Sequence, residues 1–460
     1  MRRRKKNASS LLFLIFFLTT IVGVVYIYSS ETFERDLPVI TVNDEIFWNL
    51  KQPIKVNIED ASGIRHYKVI MKSKNEERVL SQDTFPDPSL HKDLALNIDY
   101  PKIGGYLKTS VASLYIEVID GSKWDFFSGN RIVTKHNITI DQRRPLVSVV
   151  DHSYGISKGG SALVVFQAKD EHLEELYVET KFGKIFKPQP FFKEGYYISL
   201  VAWPINVSRK DFIATVVAVD KAGNVARDTI PFEKKDRNYR TSKITIRDRF
   251  LEGKIAELGH DFEETRNLDN SLSQFTIINE TIRELNEKVI HEITSEVPET
   301  TVSSFKMIPF YPLANAKAVA SFGDRRHYYY KRRKVSSSYH LGVDFASVKM
   351  ADIKTQNAGD VVFAQPNGIY GKLPIIHHGM GLYTIYGHCS SLKVNVGDSV
   401  QQNEVIAKTG KSGLALGDHL HFGVLVQGIE VRPAEWMDRN WIRMNITNII
   451  NRAKNTILGR

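Results

Sequence analysis

The stretch Asp418-His419-Leu420-His421-Phe422-Gly423-Val424-Leu425-Val426 decides the reading of the C-terminal third of the chain. Its run of apolar and β-branched residues predicts a strand, and alternation along a strand sends His419 and His421 to the same side, where both can approach one metal ion. Upstream lies His340-Leu341-Gly342-Val343-Asp344. His340 and Asp344 share parity, but four strand residues span about 13 Å, so both reach one ion only if the chain bends between them. Gly342 is placed to permit that bend. Imidazole plus carboxylate without thiolate is the donor set of a catalytic zinc site, in which three protein ligands leave one position for water. Spacing alone does not separate His419 from a ligand.

Seven of the fourteen histidines, His327, His340, His377, His378, His388, His419 and His421, fall in this last third. Around them run Ala318-to-Arg326 (AVASFGDRR), His340-to-Ala346 (HLGVDFA), Gly359-to-Gln365 (GDVVFAQ), Pro374-to-Leu392 (PIIHHGMGLYTIYGHCSSL), Val394-to-Gly413 (VNVGDSVQQNEVIAKTGKSG) and Gly417-to-Pro433 (GDHLHFGVLVQGIEVRP). In this order the six motifs resemble the LytM-like, lysostaphin-type peptidoglycan endopeptidases over about residues 318 to 437. The resemblance implies a mainly antiparallel β peptidase domain at 306–437 with one Zn2+, held by His340, Asp344 and His421. It also implies that His388 and His419 are the catalytic pair that activates water and steadies the tetrahedral intermediate. Leucine is usual in the family after the catalytic His388, and here Cys389 stands there, expected as a small buried side chain. His377, His378, Tyr383 and Tyr386 are expected to pack, and Gly410, Gly413 and Gly417 to shape turns.

The stretch from Gly323 to Tyr339, with six Lys or Arg and four Tyr, is a long insertion between Phe322 and His340. Three readings stay open: a grip on substrate, a cover over the cleft, or a solvated loop.

Working outward, residues 37–141 and 144–235 carry short β-branched and aromatic runs between turn residues, which predict two immunoglobulin-like β-sandwiches. They echo one another, Leu114-to-Trp124 (LYIEVIDGSKW) against Thr215-to-Val225 (TVVAVDKAGNV), as repeats do. Nothing chemical clusters in them, which suits spacers. Residues 248–297 read as a helical connector whose Ile278, Ile282, Leu285, Val289 and Ile293 form one stripe, ended by Pro298. Residues 438–460 read as an amphipathic helix with Ile442, Ile446, Ile449, Ile450, Ala453 and Ile457 on one face, expected against the catalytic domain.

At the other end, Leu11 to Tyr28 is uncharged and apolar, long enough to cross about 30 Å of hydrocarbon as a helix. Arg2, Arg3, Arg4, Lys5 and Lys6 precede it, so a cytoplasmic tail at 1–10, an anchor at 11–29 and an exported remainder are expected. A cleaved signal peptide is the competing reading, against which no convincing A-x-A-like site follows and the apolar run exceeds a usual h-region. The fold class is thus mainly β, with a transmembrane helix, two β-sandwiches, a helical connector and the peptidase domain. A single cysteine precludes an intramolecular disulfide. The net charge of +10 suits work beside anionic polymer or membrane, and the exported compartment argues against nucleic acid. The expected function is zinc-dependent hydrolysis of peptidoglycan peptide bonds. The expected partners are peptidoglycan, the inner or cytoplasmic membrane, and cell-wall, divisome or elongation proteins. The alternative is a catalytically inactive LytM-like activator that binds a separate amidase.

Overall fold

A computed structural model describes residues 8–74, 76–101 and 109–460. The basic residues Arg2 to Lys6 lie outside them. Ala8–Ser29 is one helix, and Leu11–Ser29 is apolar and long enough to cross a membrane, with none of it buried against the rest of the chain. The chain is mainly β and divides into two compact units, one reaching Arg144 and including Val219–Val225, the other comprising Pro145–Ala218 and Ala226–Arg460.

The first unit has a three-stranded sheet, with Ile54–Glu59 between Val39–Thr41 and Asp93–Ile98. Its five-stranded sheet is ordered Ile46–Trp48, Arg131–Ile140, Val111–Asp120, Ile64–Lys72, Glu77–Thr84. Strict alternation puts Ala112, Leu114, Ile116 and Val118 inside, with Val56, Ile58, Trp48 and Met71 completing the core. The sequence echo has a physical basis at the strand ends. Buried Asp120 accepts the backbone N–H and side-chain amide of Asn130, both at 2.7 Å, and buried Asp220 accepts the same two groups of Asn224, both at 2.8 Å.

The second unit opens with two four-stranded sheets. One is ordered Gln189–Pro190, Tyr196–Ala202, Ser161–Lys169, Leu146–His152, the other Ile185–Phe186, Leu173–Thr180, Ala214–Asp220, Val225–Thr229. Ser161 through Phe166 are buried without alternation, so this strand is covered on both faces. The second cover corrects the expectation for the C-terminal helix. That helix, Arg439–Ile442 running through Arg443–Thr447 into Asn448–Leu458, packs on the strands Ser161–Lys169 and Leu146–His152 rather than on the catalytic domain. Arg452 pairs twice with Asp151 at 2.9 Å. Ahead of it, the buried Glu435 accepts the Ser161 N–H at 3.1 Å and Trp436 donates to the Ser161 hydroxyl at 3.1 Å. The apolar run of the sandwich strand demands a partner, and the helix stripe supplies it.

The C-terminal part is built on an antiparallel sheet ordered Lys317–Ala320, Val343–Ala346, Leu420–Val426, Leu382–Gly387, Lys372–His377, Gly359–Pro366, Ser399–Val400. Leu420 to Val426 are all buried. One face packs Leu373, Ile375, Ile385 and Leu425 against the helical connector, whose segments Ser271–Ile277, Ile278–Ile282 and Arg283–Thr294 run on without interruption. The buried stripe is Phe275, Ile278, Ile282 and Ile290, whereas Leu285 and Val289 of the expected stripe are exposed. The helix ends at Thr294, four residues before Pro298, with Ser295 as its cap.

The insertion is not a solvated loop but regular structure. Asp324–Tyr330 and Arg333–His340 form a hairpin that turns at Lys331 and Arg332, both with positive φ, as a two-residue turn requires. Thr241–Thr245 adds a parallel third strand. The hairpin is seated on the connector helix, with Tyr328 edge-on to Phe275 at 5.2 Å and the Asn279 amide donating to the Ser336 hydroxyl at 2.8 Å.

Candidate metal centre

Strand register creates the site. Asp344 lies directly opposite His421 in the sheet, and Gly387, one residue before His388, lies opposite His421 on the other side. His340 ends the last hairpin strand and Val343 begins the next, so the expected bend falls at Leu341 and Gly342. Gly342 is needed for close approach rather than for a left-handed turn. A Cβ there would lie 2.5 Å from Cε1 and Nε2 of His421 and 2.8 Å from the Phe422 carbonyl oxygen.

Three atoms converge: His340 Nε2 and Asp344 Oδ1 are 2.9 Å apart, His421 Nδ1 and Asp344 Oδ1 2.9 Å, and His340 Nε2 and His421 Nδ1 3.1 Å. Ligands about 2.0 to 2.1 Å from a tetrahedral zinc stand about 3.3 Å from one another, so this buried triangle fits one ion with little adjustment. His340 Nδ1 donates to the Ser321 carbonyl at 3.0 Å, which fixes the tautomer and leaves Nε2 with its lone pair toward the triangle. Burial pushes the Asp344 carboxyl up, but hydrogen bonds from His340 and His421 outweigh it and hold the group well below the usual carboxylate range. The other oxygen, Oδ2, faces Arg326 Nη2 at 3.6 Å.

Two more imidazoles stand at the rim, with ring centres 4.7 Å apart. His388 Nδ1 donates to the Ser412 carbonyl and His419 Nδ1 to the Gly417 carbonyl, both at 2.8 Å. A carbonyl can only accept, so each ring carries its proton on Nδ1 and offers Nε2 as a base. His419 Nε2 lies 3.8 Å from Asp344 Oδ1. His388 adopts a positive φ of 66°, a conformation uncommon for a side chain of this kind, and its N–H is held by the Tyr370 carbonyl at 2.7 Å. Burial and the neighbouring His419 and His421 push His388 down to about 3, and burial is the main cause pushing His421 down to about 4.

The five residues expected from sequence, His340, Asp344, His388, His419 and His421, are thus brought together in one groove of about 610 Å³. His377 and His378 are buried, the first stacked on Tyr383 at 4.5 Å, the second bonded to the Ala358 carbonyl and the Thr384 hydroxyl. Tyr383, Tyr386 and Cys389 are buried in the core. Gly413 turns with positive φ, Gly410 lets Ser390 approach within 2.6 Å of where its Cβ would be, and Gly417 has open space. Sequence reasoning missed Arg326, although it lies in a quoted motif, and Tyr370, whose ring edge meets His421 at 5.6 Å. Nothing in the local pattern marked Tyr370.

The arrangement defines a class: a buried His, Asp, His metal triangle faced by two imidazoles that carry a proton on Nδ1 and present Nε2. Residues 338–433 match the model of peptidase family M23, and they form a domain of that family within the chain. The chain is similar to stage II sporulation protein Q of Bacillus subtilis (strain 168), 34% identical over 110 residues that cover 23% of this chain and 39% of that one. It is also similar to the peptidoglycan DD-endopeptidase ShyA of Vibrio cholerae, 30% identical over 130 residues, 28% of this chain and 29% of that one. Each alignment therefore covers less than two thirds of the relative. Among solved structures, the catalytic domain of lysostaphin from Staphylococcus simulans matches 27% of this chain and 92% of its own length at 24% identity, with a TM-score of 0.23.

Proposed function

We propose that this chain is a membrane-anchored zinc metalloendopeptidase that hydrolyses peptide bonds of bacterial peptidoglycan in wall growth, remodelling or shape. The observation that carries the proposal is the complete set of five side chains, three donors within 3.1 Å of one another and two imidazoles presenting Nε2 beside them. The peptidase family M23 domain and the similarity to a peptidoglycan DD-endopeptidase support it. In this reading Leu11–Ser29 is the anchor and the rest of the described chain works on the wall side of the membrane.

His340 Nε2, Asp344 Oδ1 and His421 Nδ1 would hold the zinc, which when bound supplies Lewis acidity that acidifies water and polarises a carbonyl. The two Nδ1-protonated imidazoles do the proton work. A neutral Nε2 accepts the proton of the attacking water, and the imidazolium so formed donates it to the leaving amine. A protonated ring at the rim also stabilises the developing oxyanion. The Ser412 and Gly417 carbonyls keep both rings aimed while they do this.

The test is digestion of purified sacculi by the zinc-loaded full chain in detergent, with new amine termini counted and muropeptides identified by mass. New amines are expected, and His388→Ala should lower their rate about 10²- to 10⁴-fold while zinc content is unchanged. No new amines with zinc present, or wild-type rates in His388→Ala, would overturn the proposal and leave a wall-binding or activating role.

A further inference from the structure

The groove is lined by more than the matched domain. Arg240, Ser242 and Lys243, on and just before the strand Thr241–Thr245, reach it together with Arg283 of the connector helix and Arg326 of the hairpin. Their charges are not equally free. Arg326 is committed to Asp344 at 3.6 Å and Asp324 at 3.7 Å. Arg283 is fixed by its Nε on the Asn279 carbonyl at 3.1 Å and Nη2 on the Asn279 amide oxygen at 3.0 Å. Its ion-pair neighbour Glu287 is 3.8 Å away, and burial pushes that carboxyl up to about 7, so near neutrality it balances Arg283 only in part. Arg240 and Lys243 are exposed.

Three carboxylates share the lining, Asp324, Asp344 and Asp418, against four cations. Asp344 belongs to the donor triangle, Asp324 accepts the Ser242 hydroxyl at 2.9 Å, and Asp418 accepts the Thr409 hydroxyl at 2.6 Å and the Met350 N–H at 3.2 Å. Asp344 also loses its charge to any bound dication. A groove walled by low-dielectric protein focuses the remaining positive field on what enters it. Another part of the lining, Leu414 to Gly417, is apolar, and Leu416 is 84% exposed there.

We infer that Arg240, Lys243 and Arg283 form a subsite for a substrate carboxylate, so that the chain selects wall peptides with free carboxylates near the scissile bond over a neutral glycine bridge. The inference rests on the hydrolase reading and deepens it. All three cations come from segments that precede residue 338, where the family match begins. Specificity is therefore added to the peptidase domain by the strand and helix docked beside it. Arginine offers a carboxylate two parallel N–H donors and lysine a mobile ammonium, a combination that tolerates some variation in where the carboxylate sits.

The experiment uses the zinc-loaded full chain and two forms of one cross-linked dimeric muropeptide, carrying free carboxylates or carrying the same groups amidated. Wild type should show KM about tenfold higher on the amidated form with kcat little changed. Arg240→Ala/Lys243→Ala should raise KM on the free form by a similar factor and have no further effect on the amidated form. Arg240→Lys and Lys243→Arg, which keep the charge but change its geometry, should recover only part of that loss, and added salt should erase the difference between the two substrates. A parallel arm measures binding of both muropeptides to the metal-free chain by calorimetry. Cleavage indifferent to amidation and to the double variant overturns the subsite and leaves the hydrolase. Carboxylate-dependent binding without cleavage overturns the hydrolase and leaves the subsite. Absence of both overturns both.

Discussion

Gly342→Ala tests the metal centre without removing any donor. The new Cβ would stand 2.5 Å from Cε1 and Nε2 of His421, against 3.4 Å for an ordinary contact, so ring or backbone must give by 0.9 Å. The backbone has little room, because the Phe422 carbonyl is 2.8 Å from the same point and Phe422 is fully buried in mid-sheet. Most of the displacement therefore falls on the His421 ring. Zinc sites tolerate about 0.2 Å in ligand distance, so such a shift takes His421 Nδ1 out of bonding range unless the sheet deforms. Zinc affinity should fall at least about 10- to 100-fold, the range seen when supporting contacts of a metal ligand are lost. Competition against a chromogenic chelator reads this directly on the full chain, and far-ultraviolet circular dichroism checks that the sheet has formed. Zinc affinity within about twofold of wild type in a folded Gly342→Ala protein would refute the placement of His421 as a donor.

Three further outcomes are expected. Arg326→Ala should weaken zinc about tenfold by releasing Asp344 Oδ2, and Arg326→Lys should recover part of it, as the same chelator titration would show. His378, pushed down by burial from 6.5 to about 4, is neutral in the folded chain while the unfolded chain protonates it below 6.5. Its contribution is thus full above pH 6.5 and lost as pH falls toward 4, amounting to about 3 kcal/mol, so the urea midpoint of His378→Gln should vary less with pH over that window than wild type. Ile446→Ala, at a fully buried position on the inner face of the C-terminal helix, should cost about 2 to 5 kcal/mol and speed amide exchange in Ser161–Lys169, and unchanged exchange there would refute the packing.

The site was more legible than its surroundings because its information is local. His419 and His421 differ by one strand repeat, and His340 and Asp344 by a short bend, so parity and one glycine bring them within reach of a single ion. Strand alternation likewise exposed the core of the first unit, where Val111–Asp120 buries every second residue. Contacts decided far along the chain were not visible. The hairpin of the insertion gains its third strand from Thr241–Thr245, about eighty residues earlier, with register Lys243 to His327. Leu285 and Val289 have the right spacing for the connector stripe, yet the helix presents Asn286, whose side-chain oxygen accepts the Ile369 N–H and whose backbone carbonyl accepts the Asn367 amide, and leaves those two outside. The same holds for the C-terminal helix, whose apolar face is plain in sequence while its partner is not.

The stitching of Glu435 and Trp436 into Ser161 bears on how such a chain can be handled and inherited. The segment leaving the C-terminal sheet returns to seal a strand laid down almost three hundred residues earlier. A cut made between Lys169 and residue 300 strips that strand away and leaves Ile449, Ile450, Ala453 and Ile457 wet. The domain that matches the family is accordingly not a cassette here. Shuffling, truncation or fusion should respect a unit that begins near Pro145 and closes only with the last helix.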